Sequence, residues 1–327
     1  MKPKFAMYWA SGCGGCEISL LEIHDQILRF AEVFEIVFCP CLVDGKKEDL
    51  AKLGDGAIDL TFFNGAIRNQ EDEDMARLLR TKSRILVAYG SCAMEGCVPG
   101  LSNLSTAADH FEAVYLKNHT TVNPEAVIPG SRSEVAEGIL SLPVFAASVR
   151  SLDQVVAVDY LVPGCPPEGV QVEKVIETFV GGSPLPPSGS LLGAGERALC
   201  EECPRVRNVR RPTRFYRAHQ QIPEEGVCLL EQGFICLGPA TRSGCGARCP
   251  RNNMVCIGCY GPPPGVDDQG AQMIAALGSM LDPGKDCDGE VERTQRLDEL
   301  FSGIVDPAGT FYTFSLAKSM LGGKVGR

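Results

Sequence analysis

Sixteen cysteines stand in a chain of 327 residues, and twelve of them fall into three sets of four with the surroundings of metal ligands. Eight lie close together: Cys200, Cys203, Cys228, Cys236, Cys245, Cys249, Cys256 and Cys259. Cys13, Cys92 and Cys165 are far apart in sequence but share one context. Each follows an apolar run and sits in a glycine- or proline-rich loop, in ASGCGGCE, YGSCAMEG and VPGCPPEG. Cys16 pairs with Cys13 in a C-x-x-C motif and completes that set. Four thiolates are what a 4Fe–4S cluster requires, and three such sites in one chain point to electron conduction.

The sets carry different alternatives. Cys13 and Cys16 open the first predicted helix, where Gly12, Gly14 and Gly15 let the backbone approach closely and helix N-terminal amides stabilise an anionic group. Taken alone, the pair also fits a thioredoxin-like redox site. Cys200-x-x-Cys203 with Cys228 and Cys236 forms a second set, and Cys245-x3-Cys249-x6-Cys256-x2-Cys259 a third. Spacing alone fits structural zinc there as well as iron–sulfur, and Cys245 can join either set. Cys39, Cys41, Cys97 and Cys287 are left over. Cys39 and Cys41 end a predicted strand and are read as small buried side chains. Cys97, five residues after Cys92, either crowds or tunes the same site, and the plainer reading leaves it out of the ligands, as it does Cys287.

Other chemistry is sparse. Glu17 follows Cys16 and complements the dipole of the helix it opens. The basic run RVRNVRRPTRFYR (205–217) is a solvated loop or a docking surface for an acidic partner. His24, His110, His119 and His219 follow no metal-ligand spacing and are read as structural or surface residues. No Walker loop, nucleophile elbow or paired general acid and base is found, so no catalytic residue is assigned.

Positioning thiols so far apart in sequence needs a particular scaffold. Apolar runs at 4–10, 33–38, 58–63, 84–89 and 155–162 read as buried strands. Amphipathic stretches at 17–33 and 70–82 lie between them. This alternation predicts an α/β fold, a flavodoxin-like doubly wound parallel sheet. Ligands of such sheets bind beyond the carboxyl ends of the strands, near the switch in strand order. Cys13, Cys92 and Cys165 each come a few residues after a predicted strand, so they should converge there. Segment 105–150 is left unassigned, and no internal repeat is found.

A Pro/Gly/Ser-rich stretch begins at 181 and divides the chain. The expected domains are 1–182, the flavodoxin-like domain with the first thiol set; 183–195, a linker; and 196–327, a largely irregular iron–sulfur-cluster domain with the other two sets. A segment so poor in periodicity gains folding free energy from metal ligation. The net charge of −10 argues against nucleic-acid binding. No apolar run is long enough for a membrane span, and no secretory or twin-arginine signal is seen. The expected location is the cytoplasm, where thiols stay reduced.

The motifs SGCGGCE (11–17), GSCAMEG (90–96), PGCPP (163–167), CLLEQGFICLGPATRSGC (228–245) and CIGCYGP (256–262), in this order, resemble the small subunit of nickel–iron hydrogenases over nearly the whole chain. The resemblance implies three 4Fe–4S clusters. Cys13, Cys16, Cys92 and Cys165 would hold the proximal one, Cys245, Cys249, Cys256 and Cys259 the medial, and Cys200, Cys203, Cys228 and Cys236 the distal. Many family members have a histidine where Cys200 stands, and many lose one medial cysteine and carry a three-iron cluster. Those departures, and the missing export signal, make the chain most like the small (gamma) chain of the cytoplasmic methyl-viologen-reducing hydrogenase.

That resemblance implies a large-subunit partner with the nickel–iron site, and no nickel in this chain. Electrons from H2 oxidation would pass to an iron–sulfur delta subunit and heterodisulfide reductase, in methanogenesis, or to another flavin or iron–sulfur acceptor. The alternatives are the small subunit of a deazaflavin-reducing hydrogenase and a complex-I-like quinone-side subunit. The latter family carries adjacent cysteines, which this chain lacks. A zinc-stabilised scaffold without redox function is the remaining reading.

Overall fold

Alternate residues of the central apolar runs face opposite sides of one sheet, and both sides are buried. The computed structural model describes residues 2–281 and 289–322, so the reading of Cys287 lies outside the described residues. The strands are β1 Lys4–Trp9, β2 Glu35–Phe38, β3 Ile58–Asn64, β4 Ile67–Asn69, β5 Ser83–Tyr89, β6 Arg132–Val135, β7 Gly138–Ser141, β8 Phe145–Arg150, β9 Tyr160–Val162 and β10 Ser190–Leu191. Six form the main sheet in the order β10-β9-β5-β3-β1-β2, and every neighbouring pair is parallel. The chain winds from β1 to one edge at β2, then returns to β3 and continues the other way. This is the flavodoxin-like doubly wound order, with its switch point between β1 and β3.

Phe5, Met7, Leu60, Phe62, Val87 and Tyr89 pack on one face with Leu20, Phe30, Val172 and Val175 of the covering helices and with Ile23 of a turn between two of them. Ala6, Phe63, Leu86 and Ala88 pack on the other with Leu50, Met75, Ala76 and Leu79. Burial on both faces is why these strands read as continuous apolar runs. The Phe62 and Tyr89 rings stack at 4.8 Å between centroids, and Phe5 meets Phe30 edge-on at the same distance. The helix expected at 70–82 is Gln70–Lys82, started by a capping box between Asn69 and Asp72.

Two expected elements differ. The helix at 17–33 is two helices, Gly15–Leu21 and Gln26–Val33, because His24 between them takes a left-handed φ of +54° that no α-helix accommodates. The strand expected from 155 begins only at Tyr160, since Leu152–Gln154 form a tight turn capped by Ser151. In the unassigned segment, β8 pairs antiparallel with β4, and β6 and β7 make a hairpin.

The chain divides into two compact units, Gly193–Ser315 and the remainder. The expected 183–195 linker and 196–327 domain are adjusted at both ends. Ser190–Leu191 add a sixth strand beside β9. The segment from Leu316 packs with the first unit: Gln154 Nε2 donates to Ala317 O at 3.1 Å, and Lys318 Nζ pairs with Asp153 at 2.8 Å. A Cβ on Gly96 would lie only 2.5 Å from that of Ala317.

The second unit has little regular structure around its thiols and is held by isolated backbone pairs. Leu199 N–H donates to Thr241 O, Ser243 N–H to Arg197 O and Leu237 N–H to Cys256 O, at 2.7–2.8 Å. Helices Gln269–Met280, Glu290–Ser302 and Pro307–Tyr312 follow, with Met273, Leu277 and Tyr312 buried. Among the described residues no helix is long and apolar enough to cross a membrane.

The stacked aromatic layer should dominate the stability of the first unit. Phe62→Ala, at a fully buried position, is expected to cost about 3–5 kcal/mol. The check is a denaturation midpoint that falls at unchanged slope.

Candidate metal centres

Three loops at the carboxyl edge of the sheet bring the first set together. Cys13 follows β1, Cys92 follows β5 and Cys165 follows β9, and with Cys16 they line one small cavity of about 20 Å3. The loops are laced to one another by backbone bonds. Gly90 N–H donates to Val162 O and Ser91 N–H to Gly164 O, both at 2.8 Å, while Ser11 and Ala66 exchange two bonds. Gly164 N–H returns a bond to Ser91 Oγ. Gly90 has φ +85° and ψ 161°, a conformation essentially reserved for glycine. A Cβ there would collide with Cys16 Sγ.

Side chains invisible to motif reading hold the helix that carries Cys16. Tyr89 is fully buried; its hydroxyl shares a 2.9 Å hydrogen bond with Ser19 Oγ, which donates to Cys16 O at 2.8 Å. Glu17 lies in the first turn, as expected for a dipole complement. Its Oε1 also accepts from Asn64 Nδ2 at 2.5 Å, and its Oε2 is buried with no hydrogen-bond partner among the described residues. These partners are 47 to 70 residues away in sequence and leave no local signal.

Cys97, which the plainer reading leaves out of the ligands, packs against this set. It is buried at a left-handed φ of +49°, with its Sγ 3.9 Å from Cys165 Sγ. The Cys97 S–H, donated to that sulfur, pulls the Cys165 thiol below its ordinary range, while the same contact with Cys165 and one with Cys92 keep Cys97 protonated. Its spacing from Cys92 is the one signal the sequence offers. Cys39 is buried as expected, but Cys41 is exposed, since it lies three residues beyond the end of β2.

The second unit gathers another four. Cys200, Cys203, Cys228 and Cys236 line a cavity of about 110 Å3 whose wall includes Leu199, Leu230 and Arg207. Burial, then the neighbouring Cys236, Cys228 and Cys203, pushes the Cys200 thiol up to about 12; Arg207 opposes the rise. Burial likewise raises Cys236 to about 11. A Cβ on Gly238 would come within 2.9 Å of Cys200 Sγ, so glycine leaves the thiol its room.

Of the last four, Cys245 lies near Cys249, and Cys256 lies near Cys236 and Cys259. Burial raises the Cys245 and Cys256 thiols. Two links join them to the preceding set. Cys256 N–H donates to Cys236 Sγ at 3.3 Å, and Glu202, next to Cys203, accepts from Gly244 N–H and Ala247 N–H at 2.9 and 3.3 Å.

The donor sets fit iron–sulfur clusters. Thiols that burial and one another drive toward the protonated form, as at Cys16 and Cys200, become a stable thiolate set only around a cationic centre. Among the described residues no three His, Cys, Asp or Glu converge on the position of a single ion. The thiols of two sets surround cavities instead. None of the described histidines joins them.

Residues 13–179 match the family of the NADH ubiquinone oxidoreductase 20 Kd subunit, to which the chain belongs. More particularly, it is similar to hydrogenase components of archaea. The iron-sulfur component of the F420-non-reducing hydrogenase of Archaeoglobus profundus is 42% identical over 287 residues, which cover 86% of this chain and 89% of that one. A component of the F420-non-reducing hydrogenase of Methanothermobacter thermautotrophicus is 35% identical over 327 residues, 99% of this chain and 97% of its own. A solved NAD+-reducing [NiFe]-hydrogenase chain aligns at 29% identity and a TM-score of 0.48, covering 57% of this chain and 96% of that chain.

Gly90 tests whether backbone geometry sets the first site. Gly90→Ala is expected to cost at least about 1–3 kcal/mol for its conformation. It should also displace Cys16, read as faster thiol alkylation at Cys16 than in the unsubstituted chain.

Proposed function

We propose that this chain is the electron-transferring small subunit of a nickel–iron hydrogenase. The observation that carries the reading is the convergence of Cys13, Cys16, Cys92 and Cys165 on one cavity at the switch edge of the sheet. Family membership and the hydrogenase components among its relatives support it. In this proposal Cys13, Cys16, Cys92 and Cys165 hold the proximal 4Fe–4S cluster. Cys245, Cys249, Cys256 and Cys259 hold the medial one, and Cys200, Cys203, Cys228 and Cys236 the distal. When bound, such clusters supply one-electron transfer at potentials set by burial and hydrogen bonding. The protein's part is to bury the sulfurs and direct donors at them, as Cys97 does toward Cys165 and Cys256 N–H toward Cys236.

The nickel–iron site belongs to a separate large subunit, which the exposed apolar surface of the first unit is suited to meet. Every residue of the β6–β7 hairpin is exposed, Ile139 and Leu140 among them, and Val122, Leu142 and Val144 are also open to solvent. Surfaces of this kind mark extensive permanent interfaces. In the proposed assembly electrons leave through an iron–sulfur delta subunit to heterodisulfide reductase, in the cytoplasm. The F420-non-reducing names of the relatives favour this over the deazaflavin-reducing alternative.

Metal analysis of anaerobically purified complex is expected to give about twelve irons for this chain and negligible zinc. A zinc-dominated result removes the electron-transfer reading. Cys165→Ser should abolish H2-driven dye reduction and lower the iron content by up to about four atoms; full activity with all iron retained refutes the proximal assignment. Cys97→Ala, by contrast, should keep its iron.

A further inference from the structure

We infer that the arginine-rich loop beside Cys200, Cys203, Cys228 and Cys236 is a preorganised docking surface for the acidic face of a protein electron acceptor. This rests on the electron-transfer reading above and adds where, and to what kind of surface, the electrons leave. Six arginines and no acidic residue occupy 205–217, in a chain whose net charge is −10. Such a local reversal of charge steers an oppositely charged partner and fixes its orientation.

The loop is built rather than draped. Arg205 turns inward as a strut, donating to Pro250 O and Val227 O at 2.7 Å and to Asn253 Oδ1 at 2.5 Å. Val206 N–H bonds Gly226 O at 2.7 Å, and Cys228 N–H bonds Val206 O at 2.9 Å, so the loop is fastened directly to one of the four thiol residues. Glu231, only 7% exposed, accepts from Asn208 N–H at 2.7 Å and Val209 N–H at 2.9 Å. A buried carboxylate thus grips the backbone at the loop's tip.

That grip holds an unfavourable arrangement. Val209 is a β-branched residue at φ +56°, where such residues are outliers, and it is 87% exposed. A relaxed loop would neither adopt that conformation nor offer the valine to water. Arg207 and Arg210 flank it, and Val206 adds a second exposed apolar side chain. Among the described residues Arg210 is engaged only by the exposed Glu224, at 3.8 Å. Arg207 also forms part of the wall around the four thiols. An apolar tip with an arginine on either side, one side chain from the proposed redox site, fits an interface with an acidic rim and an apolar centre.

The test uses the intact complex of this chain with its large subunit, under H2, with two acceptors: flavodoxin, an acidic flavin protein, and menadione, a small neutral quinone. Wild type should reduce both, with the flavodoxin rate falling as salt rises. In Val209→Asp/Arg210→Glu the flavodoxin kcat/KM should drop at least about tenfold, with the menadione rate within about twofold of wild type. Val209→Asn suits the left-handed backbone better than valine and adds no charge. It should fold at least as well and lose about threefold toward flavodoxin alone. Equal flavodoxin rates in wild type and both variants overturn the docking surface, as does a wild type that reduces menadione but not flavodoxin. A wild type that reduces neither acceptor overturns instead the electron-transfer reading beneath it.

Discussion

The burial of sulfurs that must share one place is the constraint around which this molecule is arranged. Burial, and after it the neighbouring thiols, raises the resistance of Cys16 and Cys200 to ionisation. Nothing in such a set favours its own assembly before a cationic centre arrives. The scaffold must therefore impose the convergence from outside. In the first unit a parallel sheet with two buried faces does so by ending three strands at one edge and lacing their loops with backbone bonds. In the second unit, with few regular elements, single charged side chains such as Arg205 and Glu202 hold backbone segments at fixed separation.

The two solutions differ in what they ask of the sequence. A sheet-borne site needs only that a cysteine follow each strand by a few residues and that glycine stand where a side chain would strike a sulfur. An irregular site needs a specific polar residue for each loop. Either way, donors are directed at the sulfurs: the Cys97 thiol at one site, and the Cys256 amide at another.

Much of the first site is legible in the sequence because its signals are local. Apolar runs such as IDLTFF and RILVAY announce strands, and the loop after each strand is where the fold exposes its ligands. The gathering of Cys13, Cys16, Cys92 and Cys165 follows from that register alone. What escapes is long-range or conformational. Asn64 holding Glu17, and Tyr89 reaching Ser19, are contacts between distant segments. The break at His24 depends on one dihedral angle that residue type does not dictate. Cys97 reads as bland, because spacing shows proximity along the chain and not the direction of a side chain. In the second unit the pairing of thiols is readable as motifs, yet its supporting residues, Glu231 above all, carry no pattern in sequence.

The return of the chain at Leu316 bears on how the protein comes into being. Ala317 fits against Gly96 and Gly100, at the two ends of the short helix that follows the one carrying Cys92, and Lys318 reaches Asp153. The ribosome makes these residues only after it has made the whole of the second unit. The first thiol set therefore still misses a flank while the other eight cysteines are emerging, and its closure waits on residues made after the unit that carries them.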